Sequence, residues 1–299
     1  MVQGKAQSRI ALSAVAMGVL AVSAAAIFIR LAEAPALAVA FWRCALGTVV
    51  LLPPALVRRE RFPRGRALWA LVASGVALGA HFGSWIASLD YTSVAASVVL
   101  VSTTPVFVAI LAYLLLGKRT SRLSFFGILV ALSGTVVIAS DASAGSAALL
   151  GNVLAIGGAI AFAVYVLIGR SQRATVGVLP YSIVVYSAAA LTLLSAALLS
   201  EAELWGYSRE TWLWLWAIAL GPQIMGHTVI NWALRYVQAS IVSGTILAEP
   251  VVSALLAWLV LSEKPGLATL FGGAVVLLGL FLLLRGYRDP REKNMPAVS

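Results

Sequence analysis

Ten long stretches, nearly all without a charged residue, follow one another between residues 10 and 284 with short polar links between them. No other feature constrains the chain as much. A bilayer core about 30 Å thick is crossed by about 20 apolar residues in a helix. The pattern therefore predicts spanning helices over 10–29, 36–57, 67–88, 94–116, 123–140, 147–169, 181–200, 212–233, 240–261 and 267–284. Only the second run, through Arg43, and the ninth, through Glu249, carry an internal charge. The runs are continuously apolar rather than alternating, which selects helices over a β-barrel.

Composition excludes the soluble alternatives. Hydrophobic residues make up 61% of the chain and charged residues 11%, against about 25% charged in soluble domains. The 299 residues cannot hide that much apolar surface from water. A net charge of +10 would suit a nucleic-acid partner if it formed a patch. It falls instead in short clusters between the apolar runs, where it reports topology. Cys44 is alone, so neither an intrachain disulfide nor a cysteine metal or redox motif can be built.

With the N-terminus cytoplasmic, that side collects seventeen Lys and Arg residues, including the cluster Arg58, Arg59, Arg61, Arg64 and Arg66. The opposite side has only Arg30, Arg209 and Lys264. Both termini are therefore expected in the cytoplasm of a cell with the protein in its inner (plasma) membrane. The first run, followed by "AEAPA", also has features of a signal peptide. Its 20 residues are long for one, and removing it would destroy an internal symmetry.

That symmetry is a gapless match at an offset of 145 residues. Tyr91 meets Tyr236, Pro105 meets Pro250, Leu116 meets Leu261, Phe126–Gly127 meets Phe271–Gly272, Gly134 meets Gly279, and Pro35 meets Pro180. Residues 1–145 and 146–299 thus read as two five-helix halves, the second ending in a short cytoplasmic tail. Five is odd, so the second half must insert upside down. The expected fold is an all-α integral membrane protein of ten transmembrane helices in two inverted-topology repeats. Secondary transporters use that plan, with a site near the midplane between the halves.

The segments "TTPVFVAILAYLLLGKRTSRLSFFGILVALSG" and "AEPVVSALLAWLVLSEKPGLATLFGGAVVLLGL" resemble the repeat signature of the drug/metabolite transporter superfamily, EamA type. Lys118 stands where the signature usually has Glu, in a loop that suits the positive-inside rule. "FWRCALG", with Arg43, is similar to the family's second-helix arginine. The resemblance covers nearly the whole chain and implies ten-helix exporters of amino acids, other metabolites or drugs. Sugar-phosphate carriers of the same fold would need several cations at depth, and Arg43 is the only one. The chain therefore looks most like the YddG-like amino acid exporters.

Glu249 and Pro250 sit side by side at the middle of a spanning run. A carboxylate at such depth costs about 2.5–3.5 kcal/mol on insertion scales, so it should be protonated, paired or water-exposed. Proline has no N–H and clashes with the carbonyl four residues back. Pro250 would free the carbonyl of Ile246, and Pro105 that of Val101. Arg43 lies at similar depth, and the two charges are expected to face one cavity, where they could pair. Their repeat partners are Ala188 for Arg43 and Thr104 for Glu249, so neither charge is duplicated.

Other cavity candidates are polar or aromatic residues in the apolar runs. His81 and Trp85 stand one turn apart in "GVALGAHFGSW", beside the close-packing stripe Gly75, Gly79, Gly83. A histidine there serves as a substrate ligand, as a proton carrier or as an inert hydrogen-bonded side chain. Ser102, Thr103 and Thr104 precede Pro105, where freed backbone needs partners. Phe162 and Tyr165, near Gly157–Gly158, would make an aromatic wall or ordinary packing. Gly221–Pro222 predicts a further helix break next to Gln223, with His227 and Asn231 nearer the cytoplasm. Trp205, Trp212, Trp214 and Trp216 read as an interfacial belt.

An enzyme would need a Ser–His constellation or clustered acids for a metal, and no supporting motif orients the two histidines or Ser84. No metal or cofactor is expected. The partners are a small-molecule substrate and lipid, without nucleic acid, and a monomer suffices. A channel is the nearer rival, distinguished by single-channel conductance. No ATP-binding motif is present, so uphill transport would need an ion gradient; proton coupling and facilitated diffusion both remain open.

Overall fold

The computed structural model describes residues 2–117, 121–139, 145–172, 175–229, 232 and 248–286. Within them every regular element is helical. Helices α1 (Val2–Ser23) and α2 (Ala25–Ala32) form one rod, since Ala24 and Phe28 keep helical hydrogen bonds across the junction. Helix α3 (Ala36–Val57) starts behind Pro35, whose fixed φ suits a helix entry and whose carbonyl accepts from the Val39 N–H. Helix α4 spans Arg66–Ser88.

The fourth apolar run is two half-helices, α5 (Val94–Val101) and α6 (Thr104–Leu116), interrupted before Pro105. Ser93 caps α5 by accepting the Ala96 N–H at 3.1 Å. Gly117, at φ +61°, ends α6 in the left-handed conformation that only glycine adopts without strain. Helices α7 (Arg122–Ala139), α8 (Gly145–Gln172) and α9 (Val178–Leu199) follow. Helix α10 (Arg209–Ile218) runs straight into a π-helical segment, Ala219–Thr228. Helices α11 (Glu249–Leu261) and α12 (Leu267–Gly286) complete the described chain.

Among the described residues, seven helical stretches are long and apolar enough to span a membrane: Ser13–Ala32, Ala36–Val57, Arg66–Ser88, Val94–Leu115, Gly145–Gly169, Val178–Leu199 and Leu267–Gly286. Arg122–Ile138 and Glu249–Leu261 are shorter apolar helices. The first eight residues of the run expected at 240–261, and Asn231 from the run before it, lie outside the described residues, as does Ile246.

Proline at 222 does not break its helix as the sequence suggests. The π segment carries Pro222 inside a continuous helical path. Its wider turn removes the crowding between the proline ring and the preceding turn that an α-helix would impose. The tryptophans expected as a belt also do more than face lipid. Trp42 packs edge-on against Trp205 and Trp212, each 4.8 Å away, and donates from Nε1 to the Leu204 carbonyl at 2.9 Å. Trp214 lies 5.4 Å from Phe28, while Trp205 is 64% exposed.

The packing repeats at the 145-residue shift. Helix α7 lies along α12, and α3 along α9. Helix α4 packs on α8, as α10 and the π segment pack on α2 and α1. Helices α5 and α6 also pack on α8, as α11 does on α1 and α2. Glycines set the closest of these approaches. A Cβ on Gly134 would lie 2.6 Å from the Gly272 carbonyl oxygen, and one on Gly272 would lie 2.8 Å from that of Gly134. The stripe on α4 meets α9: a Cβ on Gly75 would lie 2.5 Å from Ala188 Cβ, and one on Gly79 3.1 Å from the Ala189 carbonyl.

Candidate functional site

Arg43 is fully buried on α3, eight residues into the helix. Its Nε–H donates to Oε1 of Gln223 on the π segment at 2.9 Å. The guanidinium carbon stands 3.7 Å from the centroid of the Phe82 ring and 5.9 Å from that of Trp85. A desolvated guanidinium over an aromatic face gains cation–π attraction of about 2 kcal/mol. Nη1 and Nη2 have no hydrogen-bond partner among the described residues.

Helix α4 supplies the neighbouring aromatic wall. The His81 and Trp85 rings are stacked, 5.9 Å apart and 6° from parallel, as one-turn spacing allows. His81 Nδ1 lies 2.9 Å from the Gly158 carbonyl oxygen on α8. A carbonyl only accepts, so Nδ1 carries the proton and donates. Gly158 permits this approach, since a Cβ there would lie 3.1 Å from Trp85 Cβ. Phe162, one turn on, is 4.6 Å from His81 and 5.1 Å from Tyr165. His227 reaches the same group, 5.9 Å from Phe82 and 6.1 Å from Phe162.

Behind Gln223, the Thr228 hydroxyl donates to the Gln223 carbonyl at 3.2 Å. Having one hydrogen, it must accept from the Tyr186 hydroxyl, 2.9 Å away. Gln223 is thus held by its side chain from Arg43 on α3 and by its backbone from Thr228 within the π segment. Gly47 is opposite: a Cβ there would lie 3.2 Å from Gln223 Cγ.

The remaining sequence candidates sit at the break before Pro105 and at the start of α11. Thr104 Oγ1 donates to the Val101 carbonyl at 2.8 Å, the acceptor that Pro105 leaves without an N–H, and lies 3.4 Å from the Ala159 carbonyl on α8. Ser102 donates to Val98 at 2.7 Å, and Thr103 to Leu100 at 2.6 Å. All three hydroxyls therefore engage backbone at the break. Glu249 opens α11, with Pro250 beside it in the first turn. A carboxylate is favoured there by the helix N-terminus and proline by its missing N–H. Glu249 is partly exposed and within electrostatic reach of Arg43. The two form no ion pair, and Arg43 turns to Gln223 instead.

The structure therefore gathers Arg43, His81, Trp85, Phe162, Tyr165 and Gln223 into one neighbourhood. Sequence reasoning passed over Phe82, the ring under the guanidinium, because a phenylalanine in an apolar run has no distinguishing pattern. Among the described residues no cluster of His, Cys, Asp and Glu could hold a metal.

Comparison with known proteins gives the setting. The model of the EamA-like transporter family matches twice, over residues 9–140 and 149–285. An uncharacterised transporter of Archaeoglobus fulgidus is 27% identical over 93% of this chain and 96% of its own. The pseudopaline exporter CntI of Pseudomonas aeruginosa is 26% identical over 85% of this chain and 88% of its own. A protein of known crystal structure, 20% identical, superposes with a TM-score of 0.63 over 92% of this chain and 96% of that one, showing a shared fold. With the apolar spanning helices, this makes the protein a membrane transporter rather than an enzyme. The chain belongs to the EamA-like transporter family.

Proposed function

We propose that the protein is a secondary exporter of small metabolites, with amino acids, including aromatic ones, as its main substrates. The observation that carries this reading is the joining of one buried, partly unpaired guanidinium to an aromatic wall of His81, Trp85 and Phe162. A charged group next to flat apolar faces suits a small polar molecule with a ring. Glu249, near Arg43 but not paired with it, offers the opposite charge for an ammonium group.

Transport would proceed by alternating access. In this reading the halves 1–145 and 146–299 are two inverted five-helix bodies, with both termini on the cytoplasmic side of the inner membrane. Pro105 stands at the break between α5 and α6 and Pro250, its counterpart at the 145-residue shift, in the first turn of α11; this and the two-way exchange of helix contacts support a rocking motion of one half against the other. Export of a metabolite such as pseudopaline is the second reading, favoured by the relative CntI.

Counterflow tests the substrate class. Proteoliposomes loaded with unlabelled phenylalanine or tryptophan should draw in the labelled amino acid transiently, which a channel would not do. Pseudopaline exchange without amino acid exchange would favour the second reading.

A further inference from the structure

Among the described residues, four nitrogens around Arg43 are buried without hydrogen-bond partners: Nη1 and Nη2 of Arg43, Nε1 of Trp85 and Nε2 of Gln223. Every one is a donor. The Gln223 amide is oriented by its neighbour, because the Arg43 Nε–H can only donate; the oxygen faces it and the NH2 is the free end. Arg43 and Gln223 are fully buried and Trp85 is 4% exposed. Buried polar groups normally have partners, and among the described residues no acidic side chain pairs with this guanidinium. Among the described residues these four donors meet no acceptor, and an anion would satisfy them.

We infer that Arg43, Trp85 and Gln223 form a subsite for a carboxylate of the transported molecule. The inference rests on the function proposed above and narrows its substrates to carboxylic acids. Phe82 covers one face of the guanidinium, leaving its N–H edge for a ligand. A carboxylate presents two oxygens at the spacing of that edge. Its remaining lone pairs meet the indole N–H and the amide NH2. One guanidinium balances one negative charge, which favours a carboxylate over a dianionic phosphate. The rings of His81, stacked on Trp85, and of Phe162, tilted against His81, receive the body of the molecule.

Calorimetric titration of the purified full-length protein with two acid–amide pairs tests this. The pairs are L-phenylalanine with L-phenylalaninamide, and 3-phenylpropionate with 3-phenylpropionamide; chloride and acetate serve as small anions. Each acid that binds should do so at least about tenfold more tightly than its amide, the effect of one charge-assisted hydrogen-bonded pair. Trp85→Phe keeps the ring and removes the N–H, and should narrow the ratio by about threefold or more. Arg43→Gln should abolish the preference and Arg43→Lys restore part of it; if those variants fail to fold, Trp85→Phe carries the test.

Selective binding of 3-phenylpropionate without phenylalanine binding would keep the subsite and remove the amino acid reading. Equal affinity for acid and amide, with phenylalanine counterflow intact, would overturn the subsite and leave that reading standing. No binding of either acid would overturn the subsite. So would competition by acetate or chloride as strong as by 3-phenylpropionate, which would make the site one for small anions.

Discussion

The Nε–H of Arg43 and the Oε1 of Gln223, 2.9 Å apart, tie α3 of the first half to the π segment of the second. Both side chains are fully buried, so each satisfies a group that water cannot reach. Gln223→Leu should destabilise the protein by about 2 kcal/mol, the effect of removing a hydrogen bond to a charged group. The double variant Arg43→Met, Gln223→Leu should recover much of that stability while remaining inactive, because no charge is then left unpaired. Unfolding midpoints in detergent, beside counterflow, check both statements.

One hydroxyl makes up for the hydrogen bond lost at the break in the fourth apolar run. Thr104 Oγ1 supplies the hydrogen bond that Pro105 denies to Val101. Thr104→Val, nearly the same shape, should cost about 1–3 kcal/mol for a buried carbonyl left bare. Thr104→Ser should retain most of the stability. Equal midpoints for the two variants would contradict this role.

Much of the fold was legible because lipid imposes simple rules. Continuous apolar runs marked the helices, and Pro105 marked a break through a missing N–H and a steric clash. Pro222 obeys the same local chemistry, yet a π-helical path absorbs it. Whether a proline breaks or widens a helix depends on tertiary contacts, which a single sequence does not display. The site was half legible for a related reason. Arg43 and Glu249 stood out as charges in apolar runs, and His81 and Trp85 by their spacing. That Arg43 chooses Gln223, and that Phe82 lies under its guanidinium, follow from the crossing of α3, α4 and the π segment.

Helices α7 and α12 touch through backbone. A Cβ on Gly134 would meet the Gly272 carbonyl oxygen and the Val276 nitrogen at 2.6 and 2.7 Å. Gly134→Ala should therefore destabilise by about 1–3 kcal/mol through overpacking, and Gly134→Leu should prevent folding. Substrate affinity of any folded Gly134→Ala protein should stay unchanged, since the contact lies away from Arg43. Midpoints and calorimetric affinities measured on one preparation would expose a disagreement.

Arg30 and Glu263 join the halves at one end of the molecule. Arg30 Nη2 donates to the Thr92 carbonyl at 3.2 Å and lies 3.7 Å from Glu263 Oε2, while Glu263 Oε1 accepts the Val94 N–H at 2.6 Å. Asp90 is nearby, its carboxyl pushed above the ordinary value by burial, against a smaller opposing pull from Arg30. A raised carboxyl favours the protonated folded state. Its contribution is fully present below the unfolded pKa, about 3.9, and is lost as pH rises through the raised folded value. Asp90→Asn should remove that part of the decline in midpoint as pH rises from about 4 toward neutrality. An unchanged pH profile would exclude Asp90 as its source.

Uptake of a labelled amino acid panel into proteoliposomes of the purified protein, with and without an inward proton gradient, tests whether the protein carries amino acids. Saturable uptake is expected, competed by tryptophan and phenylalanine and reduced at least about tenfold by Arg43→Gln. The response to the gradient separates facilitation from proton coupling. Uptake no greater than in empty vesicles, with the protein shown to be folded, would rule out amino acids as its substrates.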